Sequence, residues 1–278
     1  MPALLALLSS LLLGGADFFG GLAARRAPAA AVVVWSNAVG LLSASVVIIL
    51  LPSPITSTDL AWGLSAGTFG SVGAALLYRA LAVGSMSLVA PTTAASAAVV
   101  PVVAAAALGE RLTIPAAVGL AGALASVILI SGGRSAARLN GGDLRGLGMA
   151  VLAGVCFGGF LVLLAQTSAE SGLGPLAAAR CASLLILVGL VRARRQSLLL
   201  PRGAVRLSLA AGLLDMAANV LFLLAVRLGH LAVVGLLASL SPLGTVLLAR
   251  VLLNERLRGP QRVGTALAVG SIAVLSLR

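Results

Sequence analysis

The sequence holds no lysine, one histidine and one tyrosine, and only 9% of its 278 residues are charged. Each scarcity removes a class of function. Without lysine, no Gly-x-x-x-x-Gly-Lys-Ser/Thr loop exists, so a nucleotide motif of that kind is excluded. The lone His230 sits beside Gly229 at the start of an apolar segment, and the chain offers neither a metal cluster nor a Ser-His-Asp motif. The two cysteines, Cys156 and Cys181, fall in apolar segments and give neither a disulfide framework nor metal-ligand spacing. Aromatic residues make up 3%, too few for stacking platforms, so the net charge of +12 does not read as nucleic-acid binding. The expectation is a protein that is not an enzyme, needs no cofactor and has no nucleic-acid partner.

Apolar residues dominate what remains: 60% are hydrophobic and the mean hydropathy is +1.15. Soluble domains carry about 25% charged residues and could not hide this much apolar surface in water. A bilayer can, because its core accepts about 20 apolar residues per helix. Breaks of proline, glycine and charge divide the chain, as at Arg25 to Pro28, Pro52 to Asp59, Gly84, Gly229-His230 and Asn254 to Pro260. Between the breaks lie ten apolar segments of roughly 18 to 24 residues, each enough to cross ~30 Å of hydrocarbon. Lipid offers no partner for free backbone groups, so each segment must be helical. The first, from Ala3, lacks the basic region of a signal peptide and is followed by more spans, so it reads as a transmembrane helix.

The second half repeats the first. A shift of 145 residues lays Arg79 to Ser131 on Leu224 to Ser276 without a gap, with Gly84 on Gly229, Glu110-Arg111-Leu112 on Glu255-Arg256-Leu257, and Pro115 on Pro260. The fold class predicted is an all-α integral membrane protein of ten transmembrane helices in two five-helix repeats. Residues 1–133 form the first repeat, 134–145 a polar linker and 146–278 the second. Five is odd, so the second repeat enters the membrane from the opposite side and the repeats are inverted. Fifteen arginines fall in loops on one side, three on the other, and Arg180 lies within a span. The positive-inside rule makes the arginine-rich loops cytoplasmic and puts both termini outside.

The motif Leu108-Gly109-Glu110-Arg111-Leu112, its partner Leu253 to Leu257, the turn Ala80-Leu81-Ala82-Val83-Gly84 and Ser241-Pro242 resemble the EamA type of the drug/metabolite transporter superfamily. The stretch Gly14 to Gly21, with Asp17 inside it, resembles one subgroup. The resemblance spans nearly the whole chain. It implies a secondary transporter of the bacterial plasma (inner) membrane, commonly an efflux protein for amino acids, other metabolites or toxic compounds. It also implies an arginine in the second helix of a repeat. Arg180 occupies that place in the second copy, and Trp35 replaces it in the first. Better-known relatives keep both termini in the cytoplasm, opposite to the arginine count here.

An ionisable group inside a span costs several kcal/mol or draws in water, and so marks a functional site by default. Asp17 lies deep in the first span between Gly14 and Gly21. Asp215 lies near the middle of the eighth, with Asn219 and Phe222 on its stripe. Arg180 is in the seventh, and Asn37 and Trp35 are in the second. On one reading Asp17 or Asp215 binds a substrate amine or takes up a proton, which desolvation of an acid makes reasonable, while Arg180 holds a carboxylate. On the other, an aspartate pairs with Arg180 or Arg79 to neutralise charge. Arg79 reads as a snorkelling interfacial residue, and Glu110-Arg111 and Glu255-Arg256 as ion pairs that end helices. The glycine face Gly63, Gly67 and Gly70 reads as helix packing. Thr92, Thr93, Ser96 and Gln166 stand as hydrogen-bonding candidates, and Pro91, Pro101 and Pro242 as helix breaks or kinks.

Transport of a small-molecule solute by alternating access, in the export direction, is the expected function. The alternative is flipping of a lipid-like substrate or a membrane binding role. A charged central pocket favours the first and an apolar one the second. Membrane lipid is the other expected partner.

Overall fold

The computed structural model describes residues 1–50, 52–84, 86–107, 141–229, 231–238 and 240–241, with scattered single positions beyond them. The predicted fifth and tenth spans lie outside the described residues. So do the Glu110-Arg111 and Glu255-Arg256 motifs, His230, Pro242 and most of the polar linker. All described regular structure is helical: α1 (Pro2–Ala24), α2 (Ala29–Leu50), α3 (Ser57–Val83), α4 (Met86–Ala107), α5 (Gly141–Ala165), α6 (Gly174–Ala193), α7 (Arg202–Leu228) and α8 (Leu231–Ala238). Six of them, α1, α2, α3, α5, α6 and α7, contain a stretch long and apolar enough to cross a membrane.

The helix ends follow the sequence breaks. Pro28 separates α1 from α2 and its carbonyl accepts the first bond of α2, from Val32 N at 3.1 Å. Thr56 caps α3, its hydroxyl oxygen accepting from Asp59 N at 3.1 Å. α3 stops at Gly84 and α7 at Gly229. Pro91 and Pro101 fall within α4 without ending it.

The helices of the two halves interleave. α1 lies mainly against α7, α3 against α5 and α6, α4 against α5, and α2 against α6 and α7. Neighbours in sequence touch little. Exchanging the halves turns the α1–α7 contact into the α5–α3 contact, so the packing follows the repeat. The directions oppose as well. α1 begins beside Gly229 at one end of the bundle and runs to Arg26, next to Gly203, at the other. α5 begins beside Gly84 at that second end and finishes at Ser168, next to Asp59, at the first. Arg25, Arg26, Arg79 and Arg145 thereby sit at one end, as the arginine count expects.

Small residues make the interleaving possible. A Cβ on Gly67 of α3 would fall on the Ala179 carbonyl of α6, and one on Gly212 of α7 on the Ser36 carbonyl of α2. Serines fasten the same two crossings: Ser183 Oγ donates to Gly67 O at 2.9 Å and Ser36 Oγ to Ser208 O at 3.0 Å. Ser9 Oγ donates to Ala218 O at 2.7 Å between α1 and α7. Hydroxyls bonded to neighbouring carbonyls are the expected polar contacts between membrane helices.

A polar cluster closes the end of the bundle opposite Arg25, Arg26, Arg79 and Arg145. Asp59 accepts from Ser168 N at 2.8 Å, Ser168 Oγ at 2.9 Å and Thr56 Oγ1 at 2.7 Å. Arg227, at the end of α7, donates to the carbonyls of Ser168 at 3.1 Å and Gly172 at 2.9 Å. Thus the start of α3, the α5–α6 loop and the end of α7 are tied together.

Gly67→Val should wedge α3 from α6, at a cost of about 1–3 kcal/mol. Gly189→Val, whose Cβ would meet nothing within 4 Å, should be neutral. Thermal unfolding of both variants in detergent checks this; equal loss from both would refute the close-approach account.

Candidate functional site

α1 to α8 surround a partly enclosed cavity of ≈ 110 Å³. Every described helix contributes: Asp17 from α1, Ser36 and Asn37 from α2, Tyr78 from α3, Thr93 from α4, Phe157 and Phe160 from α5, Arg180 from α6, Asp215 and Asn219 from α7 and Ala238 from α8. The walls are mostly apolar and the polar groups are few.

At the centre is an ion pair. Arg180 Nη2 donates to Asp215 Oδ2 at 2.5 Å, with the side chains 11% and 24% exposed. Arg180 Nη1 donates to Asn37 Oδ1 at 2.9 Å. Asn37 is itself fixed, its amide donating to Val33 O at 3.0 Å one turn back on α2. Asn219 Nδ2 donates to Asp215 Oδ1 at 3.1 Å and to Asp215 O at 2.8 Å. The i to i+4 spacing of Asp215 and Asn219 on α7 places both on one face. The network therefore joins α2, α6 and α7. Gly40 on α2 gives the arginine its room: a Cβ there would lie 3.1 Å from Nε and 3.4 Å from Cδ.

Asp17 stands apart from this network. Among the described residues it makes no hydrogen bond or ion pair, although it lies within electrostatic reach of Asp215 and of Tyr78. Tyr78 is buried, and its ring rests on Gly20, one turn beyond Asp17 on α1. A side chain at position 20 would overlap the phenol.

Of the residues singled out in the sequence, Asp17, Asn37, Arg180, Asp215 and Asn219 line one cavity. Trp35 does not: its indole Nε1 donates to Leu198 O at 3.0 Å, tying α2 to the α6–α7 loop. Phe222 is buried rather than cavity-lining. Ser96 and Thr93 bond carbonyls of their own helix, Thr92 O and Val89 O, each at 3.0 Å. Gln166 and Arg79 are exposed, and Cys156 and Cys181 are free. Gly63 and Gly67 pack against α6, while Gly70 borders the cavity against Phe160. Tyr78, Phe157 and Phe160 were not singled out. Phenylalanine in a span reads as core, and the tyrosine, next to Arg79 in the last two turns of α3, reads as an ordinary interfacial residue, so no sequence signal set these three apart.

Six interleaved helices long and apolar enough to span a bilayer define a multi-pass membrane protein. The EamA-like transporter family matches residues 1–132 and again 144–277, once per repeat. The chain belongs to the EamA-like transporter family, and is a membrane transporter of the drug/metabolite transporter superfamily. Members of the family are transporters, not enzymes. A solved structure described as the crystal structure of a protein is similar in fold, with a TM-score of 0.74 at 19% identity, over 99% of this chain and 96% of that one. No curated protein matches the chain.

Removing either partner of the central pair strands the other charge. Asp215→Asn and Arg180→Gln should each lower stability by up to about 3 kcal/mol. The double variant should lose less than the sum. Thermal unfolding of the four proteins in detergent reads the coupling, and strictly additive losses would show that the pair is not coupled.

Proposed function

We propose that the protein is a secondary transporter of ten membrane-spanning helices in two inverted five-helix repeats. It moves a small metabolite, amino acid or drug-like solute by alternating access and exports it across the plasma membrane of a bacterial cell. The observation that carries this reading is the charged cavity between interleaved halves, with Asp17, Arg180 and Asp215 on three different helices. Rocking of one repeat against the other would expose such a cavity to each side in turn. The opposed directions of α1 and α5 support the inverted arrangement, and the arginines gathered at one end support that end as cytoplasmic, with both termini outside. In this reading Asp17, Asn37, Arg180, Asp215 and Asn219 contact the solute or a coupled proton, while Trp35 of α2 lies outside the cavity wall, bonded to the α6–α7 loop.

The mostly apolar walls favour a second reading, the flipping of a lipid-like substrate. The buried charges weigh against a lipid-like substrate without a charged headgroup, which offers nothing to pair with them.

Export predicts that cells expressing the protein release a solute that control cells retain. Cells expressing Asp17→Asn, matched for membrane insertion, should lose that release. Comparison of small molecules in the two media checks it. Unchanged media despite full insertion would overturn export of cellular metabolites, and redistribution of a labelled lipid between leaflets would favour flipping.

A further inference from the structure

The arginine-rich end of the bundle carries a charge that the neighbouring chain does not answer. Arg25 and Arg26 lie in the turn between α1 and α2. Arg192 ends α6, Arg194 and Arg195 enter the α6–α7 loop, and Arg202 begins α7. All six are exposed. The two segments are neighbours in space, since a Cβ on Gly203 would lie 3.2 Å from Arg26 Nη1. Neither residues 24–29 nor residues 190–206 include an acidic residue. None of the six arginines makes an ion pair among the described residues. Gathered charges of one sign repel one another and attract an anion from outside the chain.

The backbone at Arg195 shows that this charge is kept at a cost. α6 ends with Arg195 N–H bonded to Arg192 O at 3.0 Å and Gln196 N–H bonded to Val191 O at 2.9 Å. That pair of bonds puts Arg195 in the left-handed position where helices place glycine, and its φ is 52°. No other non-glycine residue among those described has a positive φ. Folding alone favours glycine there, so an arginine at this position points to a role outside folding.

An apolar group stands beside the charges. Leu199 is 87% exposed, the most exposed large apolar side chain among the described residues. Its backbone is fixed: its N–H donates to Ser197 Oγ at 3.0 Å, and the Leu198 carbonyl before it accepts from the Trp35 indole. Leu198 and Leu200 pack onto the core on either side of it, so Leu199 is left facing out. Trp35 lies in the second turn of α2, and tryptophan favours the headgroup level of a bilayer. Its bond holds the loop where headgroups meet acyl chains. We infer that this end of the bundle binds an anionic phospholipid. Arg194, Arg195 and Arg202, with Arg26 beside them, hold the phosphate, and the first part of an acyl chain lies over Leu199. A zwitterionic phospholipid offers the chain without the net charge, and a free phosphate offers the charge without the chain. The inference needs a bilayer around the protein and does not depend on transport.

The test is lipid binding to the purified full-length protein in dodecyl maltoside, read by native mass spectrometry. Phosphatidylglycerol should bind at least about tenfold more tightly than phosphatidylcholine with the same acyl chains, because each arginine at a bilayer surface contributes about fivefold. Arg195→Gly should weaken phosphatidylglycerol about fivefold, yet leave thermal stability without lipid unchanged or higher, because glycine relieves the backbone. A purely structural arginine would not show that opposition. Arg145→Gln removes one charge from the same end of the bundle, at the start of α5, and should keep the preference. Leu199→Ser should weaken phosphatidylglycerol, and inorganic phosphate should compete with it poorly. Equal binding of the two phospholipids would overturn the inference. So would an unchanged preference in Arg195→Gly and in the triple variant Arg194→Gln/Arg195→Gly/Arg202→Gln. An equal loss in Arg145→Gln would replace the site by diffuse attraction, and displacement of the lipid by equimolar inorganic phosphate would replace the lipid by a soluble anion. If the triple variant does not yield monodisperse protein, Arg195→Gly decides.

Discussion

The interior of this protein is organised around one ion pair, Arg180 with Asp215, placed where water is scarce. A guanidinium in hydrocarbon is tolerated only with a carboxylate and further hydrogen-bond partners at hand. That requirement fixes more than two side chains. It sets the rotation of α6 so that Arg180 faces α7, and that of α7 so that Asp215 and Asn219 face inward together. It also requires Asn37 of α2 on the opposite side and the absence of a side chain at Gly40. Three helices from both repeats are thus registered against one another by a handful of polar atoms. Asp17 shares the cavity but not the network, so the frame and the free carboxyl are chemically distinct.

Close approach of helices supplies the rest of the cohesion. Lipid tails are as apolar as leucine, so burying leucine between helices gains little in a bilayer, and contact must come from fit. The large exposed side chains, such as Leu42, Ile49 and Leu185, accordingly face outward. The crossings are made of glycine, alanine and serine. The abundance of small residues and the scarcity of aromatic ones are two sides of this arrangement. Of the aromatics inside, Tyr78, Phe157 and Phe160 are placed around the cavity, while Phe18 and Phe222 are buried in the helix packing.

Much of this arrangement was legible in the chain. Pro28, Gly84 and Gly229 mark helix ends because they interrupt backbone hydrogen bonding or a side-chain pattern, and the structure ends helices there. Asp17, Arg180 and Asp215 stood out because ionisable groups are rare in apolar segments. What the sequence did not reveal was who meets whom. Arg180 and Asn37 are 143 residues apart, and no local pattern encodes their contact. Asn37 and Trp35 lie two apart in the same span, yet one faces the cavity and the other reaches a loop. A weakly amphipathic helix, apolar on nearly every side, does not announce which face is inward. The Asp59, Ser168 and Arg227 cluster was hidden for a related reason. Its members sit at helix ends and in loops, where polar residues are ordinary, and only the fold brings them together.

The interleaving of the halves has a consequence for synthesis. α1 to α4 find most of their partners in the second half of the chain, so the first repeat enters the membrane with its small-residue faces turned to lipid. The hydroxyl of Ser9 awaits a carbonyl 209 residues later. At roughly 5–20 residues per second, that wait is on the order of ten seconds or more. During that interval Asp17 rests in a helix that has no α7 beside it. The helices can be inserted one at a time, but the folded protein can only be closed at the end.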